Sequence, residues 1–76
     1  MDEHEQAPAS VGERITLARE RAGRSQTWLA AQVGVSRPTI SFWESGARTA
    51  SVAALAALAG PLQEQPEWLA YGVRRA

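Results

Sequence analysis

The guanidinium is the recognition group that this sequence repeats most. All eight basic residues are arginine and none is lysine. Each offers a planar fork of donors that fits a carboxylate, a phosphate or the O6 and N7 acceptors of guanine. Base composition of the encoding genome is the simplest account of the missing lysine, but the donor geometry is the same whatever its origin. Other chemistry is thinly supplied. With 0 cysteines there is neither a disulfide framework nor a thiolate zinc site, and His4 stands alone in an acidic leader. Glu13 with Glu20, or a serine with His4, makes no catalytic constellation, and there is no glycine-rich phosphate loop. A protein that is not an enzyme and needs no metal and no cofactor is therefore expected.

The formal net charge is +0, whereas nucleic acid normally rewards a basic domain. The distribution matters more than the sum. Residues 1–9 carry Asp2, Glu3 and Glu5. Residues 10–60 set six arginines against Glu13, Glu20 and Glu44, and residues 61–76 balance Glu64 and Glu67 against Arg74 and Arg75. These segments count −3, +3 and 0, so the part expected to be globular is mildly basic. The opening MDEHEQAPAS lacks the basic start and apolar stretch of a signal peptide, and the longest near-apolar run, residues 52–62, is too short to span a bilayer. A cytoplasmic protein with no membrane partner is expected.

The elements that must position the arginines can be read from apolar spacing and from turn residues. A chain of 76 residues has room for one domain with a modest core. Residues 1–9 lack apolar periodicity and contain Pro8, which reads as a flexible acidic arm; residues 10–73 read as the domain and 74–76 as a tail. Val11, Ile15, Ala18 and Ala22 predict a helix over about residues 12–22, ended by Gly23. Ser25 suits the N-cap of a second helix with Leu29, Ala30 and Val33 inward, and Gly34 suits a left-handed stop. Ser36 caps a third helix that Gly46 ends, although Pro38 biases Arg37 away from helical angles. Ser51 opens an alanine-rich fourth with Val52, Leu55, Leu58 and Ala59 apolar, expected to stop at Gly60 and Pro61. Pro66 opens a short fifth, PEWLAY, closed by Gly72.

Residues 25–46, SQTWLAAQVGVSRPTISFWESG, are the informative stretch: two short capped helices joined through a glycine. Such a joint sets the helices at a steep angle, so that one braces while the other enters a groove. The third helix divides into two faces. Ile40 and Trp43 fall on one side, with Val33 and Val35 available from the turn; Arg37, Pro38, Ser41 and Phe42 fall on the other. One face makes core and the other is free to read.

The runs GERITLARERAG, SQxxLAxxVGVS, TISxWExG and EWLAYG resemble the Cro and repressor type helix-turn-helix family of phage, plasmid and bacterial regulators, over residues 11–73. The combination is specific, because the LA, the turn glycine, the isoleucine and the WE must fall at fixed offsets across two helices. The resemblance implies an all-α, compact five-helix lambda-repressor-like domain whose second and third helices are the helix-turn-helix. It further implies a sequence-specific DNA-binding transcriptional regulator, a repressor first, taking double-stranded DNA in the major groove. On the family pattern, Arg37, Pro38, Ser41 and Phe42 face base edges, with Arg37 the first choice for a bidentate contact to guanine. Gln26, Thr27, Thr39 and Arg48 match contacts to the DNA backbone, Gln26 also bracing the third helix. Arg24 replaces the usual apolar residue before SQ and is placed to reach phosphate. Arg19 and Glu44 match an ion pair of architectural role. Phe42 stands where the family often has a polar or basic residue, which suits apolar contact with a thymine methyl. Trp28 replaces a glutamate that would complete a capping box with Ser25, and is expected to pack on the first helix.

A module of this size reads few base pairs, so a homodimer on a palindromic operator, with half-sites about 34–36 Å apart, is expected. Trp68, Tyr71 and Val73 are the candidate dimer contacts, with closure of the monomer core the alternative for Trp68. The competing class is an antitoxin-like or antirepressor-responsive module whose main partner is a regulatory protein.

Overall fold

Serine hydroxyls set the starts of the helices. In the computed structural model, which describes residues 7–74, Ser10, Ser25, Ser36 and Ser51 stand in extended backbone, and each hydroxyl accepts from the amide three residues on, at 3.1, 3.0, 3.3 and 3.1 Å. Each thereby satisfies a donor that the first turn leaves without a helical partner. They open α1 (Val11–Arg21), α2 (Gln26–Val33), α3 (Arg37–Ser45) and α4 (Val52–Leu62). A fifth helix, α5 (Pro66–Tyr71), has no side-chain cap and begins on a proline, whose missing N–H costs nothing at that position. Among the described residues there is no strand.

Each helix gives the core one fully buried large side chain: Ile15, Leu29, Ile40, Leu58 and Leu69. Burial of each removes apolar surface worth about 1.5–3 kcal/mol. The third helix packs on α1 and α2, α4 packs on α2 and α5, and α5 returns to α1. Five helices thus close round one core, the all-α architecture expected. None is long and apolar enough to cross a membrane.

Four expectations change. The first helix starts at Val11, and Ala22 is its exposed C-cap; its buried stripe instead takes in Arg14. Arg37 is helical, with Pro38 the second residue of α3, the cap on Ser36 prevailing over the bias against helix before a proline. The fourth helix runs through Gly60 and Pro61 to Leu62. Pro61 forfeits one backbone bond in the last turn, while the extension buries Leu62 and ends on Gln63 in the left-handed region at φ 54°. Val52, counted among the apolar residues of α4, is 84% exposed.

Arg14 is a buried cation, and it meets backbone carbonyls. Its Nε and Nη2 donate to Leu69 and Ala70, both at 2.9 Å, and Nη1 donates to Pro8 at 2.6 Å. The last carbonyls of α5 carry the negative end of its dipole and lack helical partners, so a guanidinium satisfies both needs. Ala7 and Pro8, the described part of the expected arm with Ala9, are therefore tied to the domain. Asp2, Glu3 and Glu5 lie outside the described residues, as do residues 75–76.

Candidate nucleic-acid interface

The joint between α2 and α3 depends on Gly34, whose φ of 73° is a conformation that a side chain disfavours. The Val35 amide returns to the Ala30 carbonyl at 3.0 Å, closing the turn. Beyond it, α3 shows two distinct faces. Ile40 is fully buried and Trp43 is packed against the core. Arg37, Pro38 and Phe42 are exposed and Ser41 is half-buried. Arg37 has no ion pair or hydrogen bond from its side chain to any described residue, so its whole donor fork faces outward.

Behind that face, Glu44 accepts three hydrogen bonds from two residues. Arg19 Nε donates to Oε2 at 2.7 Å, Arg19 Nη2 to Oε1 at 3.1 Å, and Gln26 Nε2 to the same Oε1 at 3.0 Å. Arg19 Nη1 also reaches the Arg24 carbonyl at 2.9 Å. One carboxylate thereby joins α1, the start of α2 and the end of α3. The Glu44 side chain is only 7% exposed. Burial alone raises its pKa, but the hydrogen bonds from Arg19 and Gln26, with the charge of Arg19, outweigh this and hold the carboxyl below the ordinary glutamate range. The Arg19 guanidinium is raised in turn, chiefly by its hydrogen bond to Glu44.

Close backbone approach completes the support. A Cβ on Gly12 would collide with the backbone carbonyls of Trp43 and Glu44, so the first turn of α1 lies directly on the last turn of α3. The GER run thus has a physical content: Gly12 for that approach, Glu13 held by Ser10 at 2.8 Å, and Arg14 for the end of α5.

The residues expected at the DNA backbone divide. Thr27 is exposed beside Gln26, whose amide spends one donor on Glu44. Thr39 is half-buried, and its hydroxyl lies 2.9 Å from that of Ser36, in the α3 cap. Arg24 stacks on Trp28 at 4.5 Å from the ring centroid, and Trp28 itself packs against the core. Arg48 stacks on Phe42 at 4.8 Å. Trp68, a candidate for contact between copies, requires correction. It is 2% exposed, with Arg74 lying over its ring at 4.5 Å, and it closes the monomer. Arg74 is held there by Glu64, at 3.2 and 2.6 Å. Tyr71 and Val73 are exposed, and Tyr71 lines an apolar groove of about 190 Å³ with Val52, Leu55, Ala56, Pro66, Glu67 and Ala70. Sequence reasoning missed Arg14 as a fastening residue; its signal was an arginine three residues after Val11, on the apolar stripe. The aromatic stacks left no such signal.

The helix-turn-helix family model matches residues 15–69. The P22 c2 repressor, solved with a synthetic operator, is 35% identical with a TM-score of 0.80, over 87% of this chain and 100% of that one. The restriction-modification controller protein C.AhdI from Aeromonas hydrophila is 31% identical with a TM-score of 0.75, over 80% and 92%. SinR of Bacillus subtilis, solved with DNA, is 28% identical with a TM-score of 0.72, over 78% and 95%; SinR has also been solved with the SinI protein. No curated protein matches the chain. The family match covers most of the sequence and falls on the same turn and helices that hold the outward arginine face. The chain therefore belongs to the Cro and repressor type helix-turn-helix family, which are DNA-binding transcriptional regulators and not enzymes.

Proposed function

We propose that the protein is a repressor that binds a palindromic operator as a homodimer, α3 of each copy lying in the major groove. The observation that carries this reading is the outward face of α3, with Arg37, Pro38 and Phe42 exposed and the Arg37 fork without a partner among the described residues, on a helix braced from behind by Arg19, Glu44 and Gln26. Arg37, in the first turn, reads a guanine, and Pro38 and Phe42 offer apolar contact to thymine methyls. Arg24, Gln26 and Thr27 lie against phosphate and set the register, with Thr39 contributing through the cap of α3. Residues 10–73 are the reading unit, flanked by the acidic arm 1–9 and the tail 74–76, and the site of action is cytoplasmic DNA.

Tyr71 and Val73, joined by Val52, form the contact between copies. They are 76%, 63% and 84% exposed, and Tyr71 and Val52 line one apolar groove. A two-fold contact through this patch would be isologous, each copy offering the same groove. SinR, solved in complex with the SinI protein, supports a second reading, in which the main partner is another protein. Selection of bound DNA from random duplexes tests the first reading. A palindromic consensus at moderate salt is the expected result, with R37A losing preference at one base pair per half-site. Well-folded protein that enriches no motif, together with a stoichiometric protein captured from the native host, would establish the second reading instead.

A further inference from the structure

Phe42 and Arg48 are joined twice. The Arg48 guanidinium lies over the Phe42 ring, 4.8 Å from its centroid, and the Arg48 amide donates to the Phe42 carbonyl at 3.2 Å. The Ser45 hydroxyl donates to that same carbonyl at 3.3 Å and accepts from the Ala47 amide at 3.3 Å. Gly46, at φ 83°, supplies the left-handed step between them. The turn that carries Arg48 is thus closed by hydrogen bonds on the residue whose ring receives its side chain. That ring belongs to the outward face of α3 and is 38% exposed.

A guanidinium stacked on a ring uses its flat face, and its N–H donors, which lie in the plane, stay available. Among the described residues no carboxylate pairs with Arg48. An arginine on a loose loop settles on the nearest phosphate oxygen. Stacked on a ring of the α3 face that is proposed to read bases, the Arg48 guanidinium is held beside that face, and less side-chain freedom is lost on contact.

We propose that Phe42 and Arg48 form one reading element, in which the ring orients the guanidinium for a bidentate contact to O6 and N7 of a guanine beside the C-terminal half of α3. The proposal rests on the DNA-binding reading above and moves Arg48 from the phosphate backbone to a base edge. For that guanine Arg48 is the contacting residue, and Phe42, whose other ring face and edge stay available to a thymine methyl, positions it.

The test is selection from random duplexes, followed by binding to each single-base-pair variant of the consensus, for the parent and for F42L, F42Y, R48K and R48A. Thermal melting of each variant confirms the fold. The parent is expected to prefer one guanine per half-site by roughly 5- to 150-fold, beyond the one assigned to Arg37. R48A and R48K should abolish that preference, F42L should reduce it at the same base pair, and F42Y should retain it. Uniform weakening by R48A on every sequence, with a salt slope flatter by about one, would identify a phosphate contact and overturn the proposal. So would an unchanged guanine preference in F42L. A parent that enriches no motif would overturn the regulator reading and this proposal together, whereas the other two outcomes leave that reading intact.

Discussion

Arg19 grips Glu44 through both carboxylate oxygens, at 2.7 and 3.1 Å, across 25 residues of sequence. The pair lies behind the reading face, so its effect on DNA passes through the placement of α3. Glu44→Ala strands the Arg19 guanidinium and one Gln26 donor in a site nearly closed to water. The bonds are partly buried, so the loss lies at or below the lower edge of the about 3–5 kcal/mol that breaking a fully buried pair costs. For a domain of this size a loss of about 2–3 kcal/mol is a fall in melting temperature of roughly 8–24 °C. Operator binding should fail in step with folding and return at temperatures where the variant is folded. A variant that melts like the parent yet binds weakly would place the carboxylate at the DNA.

The same carboxylate makes stability depend on pH. Its pKa in the folded protein lies below the ordinary glutamate range, so the folded state binds the proton less readily than the unfolded chain. The resulting stabilisation is fully present above the unfolded value of about 4.3 and is lost as pH falls through the lowered folded value. Denaturant titrations from pH 7 down to pH 3 should show this decline in the parent. In Glu44→Gln, which cannot ionise, the decline should be shallower, and parallel curves would rule out the assignment.

Gly12→Ala should destabilise by more than an ordinary overpacking substitution, which costs about 1–3 kcal/mol. The added Cβ meets the fixed backbone carbonyls of Trp43 and Glu44, and no side chain can rotate out of its way. Gly60→Ala, in open space on α4, is the control and should be neutral or better. Calorimetric melting of both variants decides the matter: equal melting temperatures would refute the close approach.

A domain whose segments count −3, +3 and 0 should make few phosphate contacts. Its log-log dependence of affinity on salt should have a slope nearer about −4 than −10. Fluorescence anisotropy on the selected operator between 50 and 200 mM salt reads the slope directly.

Much of the scaffold was legible in the sequence, because its devices are local. Ser25, Ser36 and Ser51 cap helices by a hydroxyl reaching three residues on, and Gly34 and Gly46 turn the chain by a backbone angle. Ile15, Leu29, Ile40 and Leu58 follow from apolar spacing. The two faces of α3 follow in the same way. What was not legible depends on partners that only the folded chain brings together. Nothing in the spacing pairs Arg48 with Phe42 across a turn, or lays Arg74 over Trp68 and turns a candidate contact residue into core. Pro61 misled because its local preference is weaker than the burial of Leu62.

The Arg14 clasp also bears on the order in which the molecule assembles. Its bonds to Leu69 and Ala70 span 55 and 56 residues, so they close nearly the whole chain into a loop. A contact of that span has to wait until the intervening helices have collapsed. The clasp is therefore expected to close late, so that Arg14→Ala speeds unfolding and leaves the folding rate unchanged. The Pro8 end and the α5 end share a single guanidinium on α1, so withdrawal of Arg14 releases both at once. In Arg14→Ala, native-state hydrogen exchange should quicken at both places, although they belong to opposite ends of the chain.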